Sequence, residues 1–152
     1  MVRKSRTFPS AARAACLAAL VAAGPATGGE RLLAGPVEAR VIAVLDGDTL
    51  RAAAFVWPGQ EITINVRIRG IDAPEMKSRC DAERRAAWLA RAALEEMVGA
   101  GAVRLRAVGG GKYYGRVLAD VEAADGTEIG GALLSRDLVR PYDGGRRRSW
   151  CG

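Results

Sequence analysis

Histidine is absent from the 152 residues, and that one gap closes several chemistries. No His-based catalytic triad, His zinc site or His-ligated haem can be built. Cysteine is scarce: Cys16, Cys80 and Cys151 are too few for an all-cysteine tetrahedral zinc site. Aromatic residues make up only 5% of the chain. The apolar run at residues 14–23 is well short of the roughly 18 residues that a membrane-spanning helix needs. Acid, base or metal chemistry must therefore run on carboxylates, backbone oxygens, arginines or tyrosines. Charge of one sign is also scarcer than it looks. The formal net charge is +6, but Arg3, Lys4, Arg6 and Arg13 lie in the first 28 residues, which hold no acid. Without those four, 19 basic residues face 17 acidic ones, so affinity for phosphate depends on where the arginines stand.

Residues 1–28 run from basic to apolar to small, the order of a secretory signal peptide, with cleavage expected near Ala26 or Gly28. Cys16 precedes most of the apolar run, whereas a lipid-attachment cysteine follows it. The expected mature protein is exported, periplasmic or secreted, with no membrane attachment once the leader is removed. It retains two cysteines, Cys80 and Cys151. An even pair in an exported chain suggests a disulfide that ties the Arg-rich tail to the middle of the domain; the alternative is two free buried thiols.

The rest of the chain divides into a linker at 29–36, a domain at 37–143 and a basic tail at 144–152. That length suits one domain with its own core. Residues 37–45 and 49–56 read as strands joined by an Asp46-Gly47 turn. Ile62, Ile64, Val66 and Ile68 alternate with Thr63, Asn65, Arg67 and Arg69, which puts both arginines opposite the aliphatic face. Residues 81–98 form the one strong helix. Its stripe of Ala86, Leu89, Ala90, Ala93, Leu94 and Met97 reads as core packing, together with Trp88, and Gly99 stops it. Strands at 103–108 and 117–123 follow, separated by Gly109-Gly110-Gly111, and residues 129–136 suggest a second, short helix. About five strands with two or three helices predict an α+β chain built on a five-stranded barrel of the oligonucleotide-binding (OB-fold) type. Nothing demands more than a monomer.

Three short segments carry the candidate chemistry: Asp46-Gly47-Asp48-Thr49, then residues 67–75 (RIRGIDAPE), then Tyr114-Gly115-Arg116. Each alone has a plain reading as a turn. Together they supply what phosphodiester cleavage needs. Asp48 at a strand start and Asp72 at a strand end form a carboxylate pair that suits a hard cation such as Ca2+. Pro74 disfavours a helical Ala73, which leaves the Ala73 carbonyl free to face the metal. Glu75 stands where a carboxylate can orient or deprotonate a water. Arg67 and Arg116 supply guanidiniums that bind phosphate oxygens and stay protonated at any working pH. The run Arg146-Arg147-Arg148 reads as a solvated surface, with contact to a nucleic-acid backbone as its functional option.

From residue 37 to residue 142 the ordered set DGDT, R-x4-D-x-P-E and YGR resembles the thermonuclease, or staphylococcal nuclease-like, family. The resemblance implies a nuclease-type barrel and Ca2+-dependent hydrolysis of DNA and RNA that leaves 3′-phosphates. It implies that Asp48, Asp72 and the Ala73 carbonyl hold calcium. Glu75 matches the family's general base, and Arg67 and Arg116 its phosphate-binding arginines. Tyr114 and Tyr142 match tyrosines of the nucleotide pocket, and Lys112 a substrate-binding lysine, here one position further from Gly115-Arg116 than in the family's Lys-Tyr-Gly-Arg. Residues 79–83 and the ending Ser149-Trp150-Cys151 resemble an exported bacterial subgroup, which supports a Cys80–Cys151 bridge. The rival expectation is a non-catalytic nucleic-acid or protein-binding module on the same barrel, which would have no need of Asp48, Asp72 and Glu75 together.

Overall fold

The computed structural model describes residues 32–111 and 114–151. The proposed leader and Lys112 lie outside the described residues. Elements run β1 (Val37–Asp46), β2 (Thr49–Trp57), β3 (Gln60–Ile68), β4 (Ile71–Asp72), α1 (Asp81–Val98), β5 (Ala102–Gly110), β6 (Arg116–Ala123), α2 (Ile129–Ser135) and β7 (Arg140–Pro141). Five strands close a barrel in the order β1-β2-β3-β6-β5, with β5 returning to β1. All neighbours are antiparallel except β3 and β6, which run parallel. The fold is α+β, an OB-like barrel with two helices among the described residues, none long and apolar enough to cross a membrane.

The interior is aliphatic. Leu50, Val66, Ile68, Val103, Leu105 and Val121 fill the barrel, while Ile71, Leu94, Ile129 and Leu133 extend the core to both helices. Alanines at 52, 54 and 119 let the walls come close. Two bulges in β1, between Val41 and Ala43 and between Val44 and Asp46, supply the bending that closure demands.

Four expectations need correction. Trp88 is 57% exposed and Leu89 62% exposed, so neither is core. The buried helix face is Glu83, Ala87, Ala90, Leu94 and Val98, rotated from the expected stripe. The reason is close approach: a Cβ on Gly47 would lie 2.6 Å from the Ala90 Cβ and 2.9 Å from the Ala73 Cβ. The tip of the β1–β2 hairpin therefore rests directly on a small-residue patch of α1. Ile62 is also exposed, because β6 covers β3 only from Asn65 onward, where Asn65 pairs with Arg116. Finally, Gly109 and Gly110 belong to β5 rather than to a linker. A register shift after Arg106 lets the ladder resume at Gly109–Leu118 and Gly110–Val117.

Two ties bring the end of the chain back to the barrel. In the β4–β7 pair Asp72 faces Arg140, and the Tyr142 N–H donates to the Gly70 carbonyl at 2.8 Å. Cys80 and Cys151 are joined in a disulfide, Cα to Cα 6.2 Å, so the bridge expected from the cysteine count is present. The Cys80 sulfur also caps α1 by accepting the Glu83 N–H at 3.4 Å. Sulfur takes the place usually filled by a Ser, Thr, Asp or Asn oxygen.

Candidate functional site

Asp48 follows Gly47 in the two-residue β1–β2 turn, where its N–H donates to the Asp46 carboxylate at 3.0 Å. Its own carboxylate accepts three hydrogen bonds. Oδ1 accepts the Thr49 hydroxyl at 2.8 Å and Arg67 Nη1 at 2.5 Å, and Oδ2 accepts the Ala73 N–H at 2.9 Å. Arg67 is aimed by β3, which pairs with β2 at Thr49–Arg67. Its second nitrogen donates to the Ile71 carbonyl at 3.1 Å and stands 3.6 Å from Asp72 Oδ1. Arg67 thus ties Asp48 to Asp72 across two strand ends. The three side chains keep only 3%, 6% and 11% exposure for Asp48, Asp72 and Arg67.

A second guanidinium completes the cluster, from the run that the sequence reads as a solvated surface or a nucleic-acid backbone contact, not as a partner of the acids. Arg147 Nε lies 2.8 Å from Asp72 Oδ1, and its Nη1 pairs with Glu75. Partial burial pulls the Arg147 pKa down, but the charges of Asp72, Glu75 and Asp48 outweigh it and raise the pKa above its ordinary value. One feature of the sequence is enough to place this residue once the disulfide is known. A Cys80–Cys151 bridge returns position 147 to the neighbourhood of Glu75, five residues before Cys80. The tail is further held by the Tyr142 hydroxyl, which donates to the Gly145 carbonyl at 2.8 Å. Arg140 stacks 3.8 Å from the Trp150 ring centroid and donates to the Ser149 carbonyl at 2.9 Å.

Glu75 sits on the turn between β4 and α1, and buried Glu83 organises that turn. Glu83 accepts the Glu75 N–H at 3.1 Å and the Ser78 hydroxyl at 2.5 Å. The Glu75 side chain itself remains 60% exposed. It lines a cavity of about 560 Å³ together with Arg67, Arg116, Tyr142 and Arg147, against Gly110 and Gly111. The two glycines keep one wall free of side chains. Tyr114 is fully exposed and does not line this cavity.

Oxygen donors are what a hard cation takes, and here they are buried carboxylates. Asp72 Oδ1 is a buried oxygen with ion-pair neighbours but no hydrogen bond of good geometry. An all-oxygen set with a buried acceptor that is held by ion pairs and makes no hydrogen bond fits a divalent ion such as Ca2+. Asp48, Asp72 and Glu75 do not crowd together as a trio, because Arg67 and Arg147 stand between them. Among the described residues, the one trio of potential ligands whose donor atoms lie within 4.8 Å of one another is Cys80, Glu83 and Cys151. Two of those atoms are the disulfide sulfurs, so that trio is structural. Asp46, read from the sequence as a turn residue, also belongs to the acid cluster. Burial, reinforced by the Asp48 charge, pushes its pKa from 3.8 up to about 6.

Compared with known proteins, the chain matches no family model and no curated protein.

Proposed function

We propose that the protein is an exported, Ca2+-dependent nuclease of the thermonuclease type, hydrolysing phosphodiester bonds of DNA or RNA and leaving 3′-phosphates. The observation that carries this reading is the shared cavity. Arg67, Arg116 and Glu75, from three separate segments of the sequence, line one space of about 560 Å³, and Arg67 reaches from it to the buried Asp48 and Asp72. A scaffold has no need for two buried carboxylates beside two phosphate-binding guanidiniums and an accessible base.

Asp48, Asp72 and the Ala73 carbonyl would hold the ion, consistent with a buried Asp72 oxygen that makes no hydrogen bond. When bound, Ca2+ would supply Lewis-acid stabilisation of the charged phosphoryl oxygens. The chain's own residues do the rest. Arg67 and Arg116 hold non-bridging oxygens of the scissile phosphate and meet the charge that grows there during attack. Glu75, exposed to the cavity and fixed through Glu83, positions a water and takes its proton. Tyr142, on the cavity rim, offers a surface for the adjoining nucleotide, whereas the exposed Tyr114 makes no contribution to that rim. A Cys80–Cys151 disulfide suits the oxidising compartment that the leader implies.

Plasmid degradation by the purified protein tests this directly. Cleavage is expected with Ca2+, none with chelator, and a loss of about 100-fold or more in Glu75→Gln. Full Ca2+-dependent turnover by Glu75→Gln would overturn the assigned roles. Binding of DNA without cleavage under several divalent ions would favour the non-catalytic module.

A further inference from the structure

Asp72 and Glu75, the carboxylates read above as metal ligand and general base, already share a cation. Arg147 spans them, with Nε 2.8 Å from Asp72 Oδ1 and Nη1 on Glu75. The residue is no stray surface contact. It sits between two anchors, the Tyr142–Gly145 hydrogen bond on one side and the Cys80–Cys151 disulfide on the other. Its side chain lines the same cavity as Arg67 and Arg116. A divalent ion approaching Asp72 from this side meets a guanidinium where its own charge must go.

We propose that Arg147 is the resident counter-cation of the acid cluster, and that a divalent cation binds by displacing it from Asp72 and Glu75. The inference rests on the reading of Asp48 and Asp72 as a cation seat. Displacement does not remove the residue, because the disulfide keeps the tail beside the cavity. Freed from Asp72 and Glu75, the guanidinium remains facing Arg67 and Arg116, where a phosphate is its alternative partner. The protein therefore exchanges one cation for another on its acids and releases Glu75 in the same step. The free-state competition carries a measurable consequence. A ligand whose competent state is only fractionally populated binds more weakly by that fraction, so removing the competitor tightens binding.

The test is Ca2+ titration by calorimetry on the purified wild-type, Arg147→Gln and Arg146→Gln proteins. Arg147→Gln should bind Ca2+ about tenfold or more tightly than wild type. Arg146→Gln, which removes the same charge from the same tail, should stay within about twofold. Unchanged or weaker affinity in Arg147→Gln, or an equal gain in Arg146→Gln, overturns the inference. Plasmid cleavage measured alongside separates it from the nuclease reading. Wild-type cleavage with no affinity gain in Arg147→Gln sinks the competition alone. An affinity gain with no cleavage by wild type sinks the nuclease alone. Absence of Ca2+ binding by all three proteins sinks both.

Discussion

Arg67 and Arg147 touch the same Asp72 oxygen from opposite kinds of scaffold. Arg67 projects from a central barrel strand, is nearly buried, and pairs with a nearly buried Asp48. Arg147 projects from a tail segment without regular structure, keeps 39% exposure, and pairs with a Glu75 that faces water. The first arrangement is fixed by the ladder register between Thr49 and Arg67; the second depends on a covalent staple beyond it. A buried pair broken on one side leaves an uncompensated charge in low dielectric, which is costly. An exposed pair such as Arg147–Glu75 broken on one side leaves a charge in water, which costs little, and the buried Asp72 that Arg147 also reaches keeps Arg67 beside it. The strand side is therefore built to hold, and the tail side is built to let go.

The sharpest way to break this comparison is to remove one partner from each side. Arg67→Ala strands Asp48 and Asp72, and should lose about 3–5 kcal/mol of stability in urea unfolding. Its DNA cleavage should also fall by about 100-fold or more. Glu75→Gln should lose as much cleavage and less than about 1 kcal/mol of stability. Equal stability losses in the two variants would show that the buried and exposed halves do not differ as described.

Next in size is the staple. Cys151→Ser opens a bridge between residues 71 apart, which the chain-entropy model values at roughly 4 kcal/mol. Thermal unfolding with and without reductant measures this in the wild-type protein. The Cys80 cap on α1 survives in Cys151→Ser, so the loss reports the tether rather than the helix start. A drop in melting temperature no larger than that of Glu75→Gln would mean that the tail contributes no constraint.

The difference between the two sides also explains what the sequence made legible. Period-two alternation placed Arg67 opposite Val66 and Ile68, and both aliphatics are buried. Turn chemistry placed Asp48 at a strand start, and Asp72 does end β4. Those positions follow from local backbone pattern, which a sequence displays. Arg147 follows from a disulfide and a stacked Trp150, which depend on pairs distant along the chain, and an arginine run alone reads as solvated. The helix stripe holds Ala90 and Leu94, both buried, but its hydrophobic pattern also admits Leu89, which turns outward because the face against Gly47 takes only small residues. Gly109 and Gly110 looked like a break because no periodicity announces a bulge. Local rules fail where two distant segments must fit each other.

Asp46 offers the smallest and most discriminating test, because it shares the burial of the strand side without sharing its guanidinium. Arg67 serves Asp48 and Asp72, and no ion pair among the described residues reaches Asp46. Burial first, and the Asp48 charge second, hold its proton up to about pH 6 against 3.8 in the unfolded chain. Between those values the folded state binds more protons than the unfolded one, so stability falls as pH rises through the window. The penalty is absent below about pH 3 and complete above about pH 7. Two units correspond to about 3 kcal/mol, and partial contact with water reduces the expected cost to on the order of 1–2 kcal/mol. Asp46→Asn keeps an oxygen to accept the Asp48 N–H and removes the charge. In chelator it should match wild type at about pH 3, exceed it by about 1–2 kcal/mol at about pH 8, and flatten the slope between. An identical pH profile in the two proteins would mean that the Asp46 charge is already neutralised. The acid cluster would then have a cation beyond Arg67 and Arg147, and the balance of charge drawn for the strand side would be wrong.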